Sequence, residues 1–460
     1  MTESVSDPRV LTGPALRVLL NYALPSLVGL IAISTASLVD GVFVGHFVGP
    51  DALAAVGLLV PYFTLLFGAA LMLAAGGTVR AGRLLGEGHA GAASAVFSTS
   101  VLAVLVFATS AALLSSAFPD ALFALLGAPA DLRPEMHSYF RVATWSLLPQ
   151  LLGLVVYYFV RLDGRPVLAT GALVAGALSN LMLDALFVVV FGWGLPGAAL
   201  STGLAQLIQL AVLAHHVRSE NGQLRLRFRS AEWRNVGRIA FGGIAEFVNE
   251  VSTGIVMLVL NFLMLARAGV DGVAAYSVVG YAIFVSLMLY YGVADALHVL
   301  LSQNLGARNA PRIRRFVELG LGCVAVLSAL FFGVAWGFAE YWAAVFVASS
   351  SEEVLSRAAT LLRSVSPLFL VNGLNVVLTV YLASMQRPAA AGLLALGRTL
   401  VLPAGLMLLL DARAPGLPFV LALPLSEWAM LATGALLCSR HSPARCVERI
   451  SSLEQREALA

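Results

Sequence analysis

Two segments of this 460-residue chain share identical residues at a constant separation of 220 positions. The shared residues are small, acidic or apolar, and they flank a long apolar stretch in each copy. They are Gly49, Asp51, Ala54, Ala55, Leu85, Gly86 and Ala90 in the first copy and Gly269, Asp271, Ala274, Ala275, Leu305, Gly306 and Ala310 in the second. A gap-free repeat of this kind predicts two halves with the same architecture, because each copy forms the same structural unit.

Long apolar segments fill both halves of the chain. A helix needs about 20 apolar residues to cross the hydrocarbon layer of a membrane, and twelve segments meet this length. They cover approximately residues 16–46, 52–82, 92–118, 136–160, 167–191, 195–216, 236–267, 272–302, 314–341, 357–384, 389–410 and 417–438. Charged residues form 12% of the chain, whereas soluble domains carry about 25%. The sequence therefore predicts an all-α integral membrane protein with twelve transmembrane helices.

The long polar segment at residues 217–235 divides the spans into two groups of six. We predict an N-terminal six-helix lobe at 1–216, a cytoplasmic linker at 217–235, a C-terminal six-helix lobe at 236–440 and a cytoplasmic tail at 441–460. Because each lobe has an even number of helices, both lobes enter the membrane from the same side, and the repeat axis lies along the membrane normal. Paired lobes of this kind are typical of secondary transporters.

The arginines indicate the orientation of the chain in the membrane. With the N-terminus inside, most arginines fall in the inner segments, whereas the outer loops carry acids such as Asp51, Asp120 and Glu352. The positive-inside rule then places both termini in the cytoplasm. The N-terminal segment has no small-residue cleavage site, so we interpret it as a cytoplasmic lead-in and not as a signal peptide. We expect a multi-pass protein of the cell (inner) membrane.

Acidic residues inside the predicted spans are candidates for function, because a charge at the centre of the hydrocarbon costs about 2.5–3.5 kcal/mol or more. Asp40 in the first helix lies roughly 14 Å below the outer turn at Gly49, at 1.5 Å per residue. Asn180 and Asp184 lie one turn apart on the fifth helix, and therefore on one face. Their depth below the outer turn is roughly 12 to 18 Å by the same estimate. All three residues belong to the outer part of the N-terminal half.

Three further oxygen-bearing groups occur at a similar level of the N-terminal half. Thr202 and the carbonyl of Ala198 open the sixth helix, and Tyr139 opens the fourth. Carboxylate, amide, hydroxyl and carbonyl oxygens together suit a small hard cation such as Na⁺, and two neighbouring carboxyl groups suit a shared proton. In the alternative interpretation, Asn180 and Asp184 only link helices through hydrogen bonds.

A second group of acidic residues is predicted near the inner face of the C-terminal half. Glu246 and Glu250 are four residues apart on the seventh helix, Asn249 lies between them, and Asp295 on the eighth helix has a similar depth. These residues are candidates for binding a cationic substrate; alternatively, they face water in the inner half of a cavity. Asn372 in the tenth helix is a further candidate for the cavity, with an ordinary interhelical hydrogen bond as the alternative.

The chain resembles the MATE (multidrug and toxic compound extrusion) transporters over nearly its whole length. The resemblance rests on LVDGVFVGHFVGPDALAAVGLLVP at 38–61, GGTVRAGRLLGEGHAGAAS at 76–94, the segment from RLDGRPVLAT to LPGAALST at 161–202, and the segment from GVDGVAAYSVVGY to LLSQNLGARNAPRIRR at 269–315. In detail it is similar to the prokaryotic MepA- and DinF-like branches. The resemblance implies a V-shaped carrier, driven by a proton or sodium gradient, that exports cationic or amphipathic compounds.

The resemblance also implies roles for particular residues. Asp40, Asn180, Asp184 and Thr202 match the positions that the family uses for its N-terminal coupling-ion site, and all four are intact here. Pro25 in the first helix corresponds to a hinge in some relatives, although a simple packing kink is the alternative. The sequence does not distinguish proton from sodium coupling.

Other classes of function are disfavoured. A lipid-linked precursor flippase, or an exporter of a specific metabolite on the same fold, is the alternative; a flippase needs arginines inside its cavity to hold a diphosphate. The predicted spans place nearly every arginine at helix ends or in loops, which favours cationic cargo.

No catalytic triad, metal-binding motif or phosphate loop is present, so we expect no enzyme activity and no cofactor besides the coupling ion. Acids that lie in each lobe, and not in one ring, disfavour a channel. We expect a monomer whose partners are small molecules and lipid, not nucleic acid.

Overall fold

The computed structural model describes residues 8–218, 222–227, 229, 231–346, 352–413 and 418–459, and within these ranges no strand occurs. Twelve helices within these described ranges are long and apolar enough to cross a membrane, which confirms the predicted number. They are α1 Ala15–Val48, α2 Ala55–Gly86, α3 Ala90–Ala117, α4 Ala130–Leu162, α5 Pro166–Val190, α6 Gly194–Val217, α7 Ile244–Gly269, α8 Ala275–Gly306, α9 Ala310–Gly337, α10 Glu352–Ser384, α11 Pro388–Arg413 and α12 Phe419–Arg440. Shorter helices are Pro8–Thr12, Pro119–Leu125, Val236–Gly242, Ala339–Phe346 and Pro443–Leu459.

The repeat is visible in the backbone as well as in the sequence. Gly49, which separates α1 from α2, has a φ angle of 126°, and Gly269, which separates α7 from α8, has a φ angle of 65°. Residues with a side chain rarely adopt positive φ, so glycine is favoured at both turns. Gly88 and Arg308, which are also 220 positions apart, both have positive φ in the turns that follow α2 and α8. The two halves therefore turn at equivalent residues.

The described chain forms two compact units. The first contains residues 24–243 with the described part of 1–12, and the second contains residues 13–23 and 244–460. This division differs from the predicted lobe boundaries, because residues 236–243 belong with the first unit and residues 13–23 with the second. Two of the three changes of unit along the chain, those after residues 23 and 243, are themselves 220 positions apart. Pro25 lies inside the uninterrupted helical segment Ala15–Phe43, two residues after the first of these points.

A close contact between backbones explains why residues 236–243 belong to the first unit. A Cβ atom placed on Gly243 would lie 2.0 Å from the carbonyl oxygen of Met72, and one placed on Gly76 would lie 2.0 Å from the carbonyl oxygen of Ile239. Helices in membranes commonly approach through small residues, because packing and not hydrophobicity drives their association. These glycines therefore join the helix Val236–Gly242 to α2.

Each unit packs around one central helix. In the first unit α4 contacts α2, α3 and α6, and in the second α10 packs against the α7–α8 pair and α9. Phe369 of α10 illustrates the second core: its ring contacts that of Phe331 at a centroid distance of 4.9 Å. Its carbonyl accepts a hydrogen bond of 3.0 Å from the hydroxyl of Tyr290. In the first unit α6, and in the second the α7–α8 pair, carry candidate functional residues and therefore pack against these central helices.

We predict that Gly76→Ala destabilises the first unit, because the added methyl group meets backbone atoms that have no rotamer with which to move away. The expected loss is about 1–3 kcal/mol, the usual cost of overpacking. Gly57→Ala in the same helix is the matched control, since a Cβ atom at Gly57 meets nothing within 4 Å. Thermal unfolding of the purified protein in detergent measures both. Equal melting temperatures for the two variants would contradict this account of the contact.

Candidate functional site

Two intramembrane acids of the first unit lie side by side. Asp184 is fully buried, and the carboxyl groups of Asp40 on α1 and Asp184 on α5 are within range of a direct side-chain hydrogen bond. Both lie next to irregular helix: the π-helical segment Val44–Val48 begins one turn after Asp40, and the π-helical segment Ala185–Val190 follows Asp184 directly. Such π-helical turns are rare and frequently occur at functional sites.

The start of α6 supplies hydroxyl and carbonyl groups to this pair. The hydroxyl of Ser201 contacts Oδ1 of Asp184 and lies 2.8 Å from the carbonyl oxygen of Ala198. Thr202 donates to the same carbonyl at 3.1 Å, and Asn180 donates to the Thr202 hydroxyl at 3.5 Å. The structure therefore brings the predicted N-terminal residues together. Ser201 also belongs to this group, although the sequence analysis did not identify it. Its position next to Thr202 in the sequence is the feature that could have indicated it.

Tyr139 of α4 completes the surroundings of the two acids. Its phenol lies within electrostatic range of both Asp40 and Asp184, and its ring packs against the apolar cluster that contains Val44 and Ala198. All six residues predicted for the coupling-ion site are consequently neighbours. They come from four different helices, α1, α4, α5 and α6.

When Asp40 and Asp184 are both ionised, some of their carboxylate oxygens have no hydrogen-bond partner among the described residues. While both carboxyl groups are ionised, neither can donate to the other, and Oδ1 of Asp40 and Oδ2 of Asp184 are then buried without a hydrogen-bond partner among the described residues. A proton shared by the two groups, or one hard cation, satisfies these oxygens. The donor set of carboxylate, hydroxyl, amide and carbonyl oxygens fits either occupant.

The second unit contains the predicted acidic cluster. Glu246, Glu250 and Asp295 all lie within electrostatic range of the phenol of Tyr291 on α8. Glu246 also contacts Nε2 of His298 at 3.4 Å. The structure thus brings the three acids from α7 and α8 into one neighbourhood, as the sequence predicted.

A buried arginine lies inside this unit. Arg398 is 4% exposed and sits in the π-helical segment Gly397–Val401 of α11. Its Nη2 lies 3.4 Å from Oδ1 of Asn249, and its Nη1 lies 3.4 Å from the carbonyl oxygen of Asn372. Nearly every arginine was predicted at helix ends or in loops, and Arg398, within the predicted span 389–410, is an exception. An arginine is tolerated there because α12 supplies an acidic partner, which the order of the sequence does not reveal.

That partner is Glu427, which is 6% exposed. Its Oε1 lies 3.9 Å from Nε of Arg398, while Oε2 accepts a hydrogen bond of 2.6 Å from Asn375. Asn375 also donates to the backbone carbonyl of Glu427 at 2.8 Å. Glu427 is therefore held firmly by Asn375 and loosely by Arg398. Asn372, a predicted cavity residue, is 5% exposed and contacts Arg398 through its backbone oxygen.

We predict that Arg398→Gln destabilises the protein by about 3 kcal/mol, because it leaves the carboxylate of Glu427 buried without a cation. The double variant Arg398→Gln/Glu427→Gln should recover most of this loss, since it buries no unpaired charge. Arg363→Gln is the control, because Arg363 and Glu340 form an exposed pair at 3.1 Å and such pairs contribute at most about 1 kcal/mol. Thermal unfolding in detergent measures the cycle. Additive losses in the double variant would show that the two charges do not interact.

The chain is similar in sequence to known membrane transporters. A family model described as MatE matches it twice, at residues 25–186 and 247–406, once on each half of the repeat. A FAD transporter of Shewanella oneidensis is 28% identical over 360 residues, which cover 75% of this chain and 77% of the relative. The multidrug export protein MepA of Staphylococcus aureus is 20% identical over 385 residues, which cover 83% of this chain and 84% of the relative.

The fold is similar to that of solved transporter structures. The structure of a MATE protein in complex with MaL6 has a TM-score of 0.88 at 20% identity, covering 98% of this chain and 100% of that one. The structure of a MOP superfamily transporter from Pyrococcus furiosus has a TM-score of 0.89 at 21% identity, covering 96% of this chain and 99% of that one. At these identities the similarity establishes the fold, and it confirms the predicted architecture of twelve membrane helices.

Proposed function

Because the chain belongs to the MatE family of membrane transporters, we propose that it exports small organic molecules by alternating access, in exchange for protons or sodium ions. The observation that carries this proposal is the adjacent pair of Asp40, which is half-buried, and Asp184, which is buried, with their surplus of unbonded oxygens. A pair of this kind changes its net charge when it binds or releases one cation. The proposal includes a location in the cell membrane with both termini in the cytoplasm, which the distribution of arginines supports.

The acid pair offers a physical route from ion binding to movement of a helix. When Asp40 and Asp184 are both ionised, their repulsion disfavours the position of α1 beside α5; when they share a proton or a cation, that repulsion is removed. Ligand binding shifts a conformational equilibrium only through a difference in affinity between the states, and this pair provides such a difference. Pro25 is a suitable point for α1 to bend, because proline removes one backbone hydrogen bond from the helix.

We predict that Asp40→Asn abolishes the acceleration of export by an imposed ion gradient, because a neutral amide mimics the loaded state at all times. Asp51→Asn is the control, since Asp51 is an exposed acid in the first turn of the helical segment that follows Gly49. Purified protein in liposomes, tested separately under a proton gradient and a sodium gradient with a fluorescent cation, provides the measurement. Gradient-driven export by Asp40→Asn at the wild-type rate would refute the assignment. The gradient that drives the wild-type protein identifies the coupling ion.

We propose cationic or amphipathic molecules as the cargo. Arg398 and Glu427 have opposite charges and cancel, so Glu246, Glu250 and Asp295 leave the surroundings of Tyr291 with an excess of negative charge. Organic cations are attracted to such a region, and aromatic side chains such as Tyr291 add cation–π contacts. The relative MepA is named a multidrug export protein, which is consistent with cargo of this class.

A second candidate is the export of a phosphate-bearing metabolite, and Arg398 favours it. The guanidinium contacts of 3.4, 3.4 and 3.9 Å are longer than the roughly 2.7–2.9 Å of strong charge-assisted hydrogen bonds, and the Nε–H group donates no hydrogen bond to the described residues. Its planar array of donors matches a phosphate group. The relative from Shewanella oneidensis is named an FAD transporter, and FAD carries a diphosphate.

One pair of substitutions separates the two candidates. If the cargo is cationic, Glu250→Gln should weaken binding of permanently charged cations about ten-fold, which corresponds to ~1.4 kcal/mol, and should affect neutral compounds less. Glu318→Gln, an exposed acid of α9, is the control. If the cargo is a phosphate compound, liposomes containing the protein should transport FAD, and Arg398→Gln/Glu427→Gln should lose FAD transport while cation transport persists. Equal losses for charged and neutral compounds in Glu250→Gln would show that Glu250 is structural.

A further inference from the structure

The segment at residues 222–227, here called the strap, is bound along the surface of the first compact unit. The backbone N–H groups of Gln223 and Leu224 donate to Oδ1 of Asp163 at 2.9 and 3.2 Å. Further along, the N–H of Arg225 donates to the Ser94 hydroxyl at 3.1 Å, and the N–H of Arg227 donates to the Ser98 hydroxyl at 2.8 Å. Four backbone groups of the strap are therefore bonded to side chains of the lobe.

The spacing of these bonds explains why the strap lies along α3. Ser94 and Ser98 are one helical turn apart, a rise of about 6 Å, and alternate residues of an extended chain are separated by about 6.6 Å. Arg225 and Arg227 can consequently bond to both serines without distortion. The exposure of the side chains agrees with an extended segment, because Leu224 is 5% exposed whereas the side chains of Arg225 and Arg227 are exposed.

The end of α6 and the first residue of the strap contact the same carboxylate. Oδ2 of Asp163 lies 3.0 Å from Nε2 of His216, close to the end of α6. A Cβ atom on Gly222 would lie 2.4 Å from that same carboxylate oxygen, so the backbone approaches Asp163 as closely as a glycine allows. Asp163 thus holds both the end of α6 and the start of the strap.

This anchoring gives the strap a fixed array of positive charge at the ends of the membrane helices. The strap begins a few residues after α6 ends at Val217 and binds to the first turns of α3, so it lies where those helices leave the apolar layer. The exposed arginines of this region are Arg225, Arg227, Arg229, Arg234 and Arg238. The one exposed acid among the described residues 222–238, Glu232, accepts a hydrogen bond from Asn235. The side chain of Trp233 is 56% exposed in the same region.

We propose that the strap and the arginines that follow it bind the phosphate headgroups of anionic membrane lipids. Basic clusters next to a membrane helix attract anionic lipids with about 1 kcal/mol per arginine near the surface. An exposed tryptophan beside them is typical of the membrane–water interface, where its ring lies among headgroups. Because the strap is already bonded to the lobe, its arginines lose little freedom when a lipid binds. This surface is separate from the acid pair and independent of the transported molecule.

Short-chain lipids test the proposal on the full-length protein in detergent. Dioctanoyl phosphatidylglycerol should bind more tightly than dioctanoyl phosphatidylcholine, as measured by native mass spectrometry, and the difference should shrink as salt is added. Arg225→Gln/Arg227→Gln/Arg229→Gln should weaken phosphatidylglycerol binding about 100-fold, or about five-fold for each ~1 kcal/mol. The control is the triple Gln variant of the exposed arginines Arg440, Arg445 and Arg449, which removes the same charge elsewhere and should change binding less than five-fold.

A second variant tests the role of anchoring with all arginines in place. Ser94→Ala/Ser98→Ala removes the two hydroxyl acceptors, so hydrogen exchange at residues 225 and 227 should rise and lipid binding should fall by a few-fold. Equal losses in the two triple variants would overturn the proposal, because they would indicate attraction by net charge alone. Equal affinity for phosphatidylcholine, or equal affinity for inorganic phosphate, would overturn it as well. Tighter binding of a nucleic acid than of phosphatidylglycerol would identify a different partner.

Discussion

Repulsion between the carboxyl groups of Asp40 and Asp184 is the constraint on which the first unit depends. Two like charges about 4 Å apart repel by roughly 4 kcal/mol at an effective dielectric constant near 20, whereas a single hydrogen bond contributes only about 1 kcal/mol net. The hydroxyl of Ser201 therefore cannot stabilise a doubly charged pair by itself. Under the proposed exchange of ions, neutralisation by a proton or a cation is the larger effect, and it links the charge of this pair to the positions of α1, α5 and α6.

The repeat preserves the positions of the turns, whereas the charged residues inside the two units differ. Gly49 and Gly269 retain positive φ at equivalent turns, because any side chain would strain both. The position 220 residues after Asp40 is Leu260, which is 1% exposed and packs in the core of the second unit. That unit instead has Arg398 and Glu427 on α11 and α12. Similar helices thus surround a like-charge pair in one unit and an opposite-charge pair in the other.

The linker predicted at 217–235 is more than a connection between lobes. Its described part belongs to the first unit, as does the helix Val236–Gly242 that follows it, so the chain passes from the linker into the second unit only after Gly243. Glycine at residues 76 and 243 permits this arrangement through backbone contact, and serine hydroxyls on α3 fix the strap. Small and polar residues in apolar surroundings therefore determine where one unit ends.

Features that depend on local chain properties were determined by the sequence alone. The twelve spans follow from runs of apolar residues, the matching turns follow from the repeated glycines, and the shared face of Asn180 and Asp184 follows from the helical period. Pairings between distant residues were decided only by the tertiary structure. Arg398 meets Glu427, and Ser98 meets the strap, because of how each helix is rotated about its own axis. Hydropathy specifies that a helix crosses the membrane, but its rotation is set by the packing of side chains from every neighbouring helix.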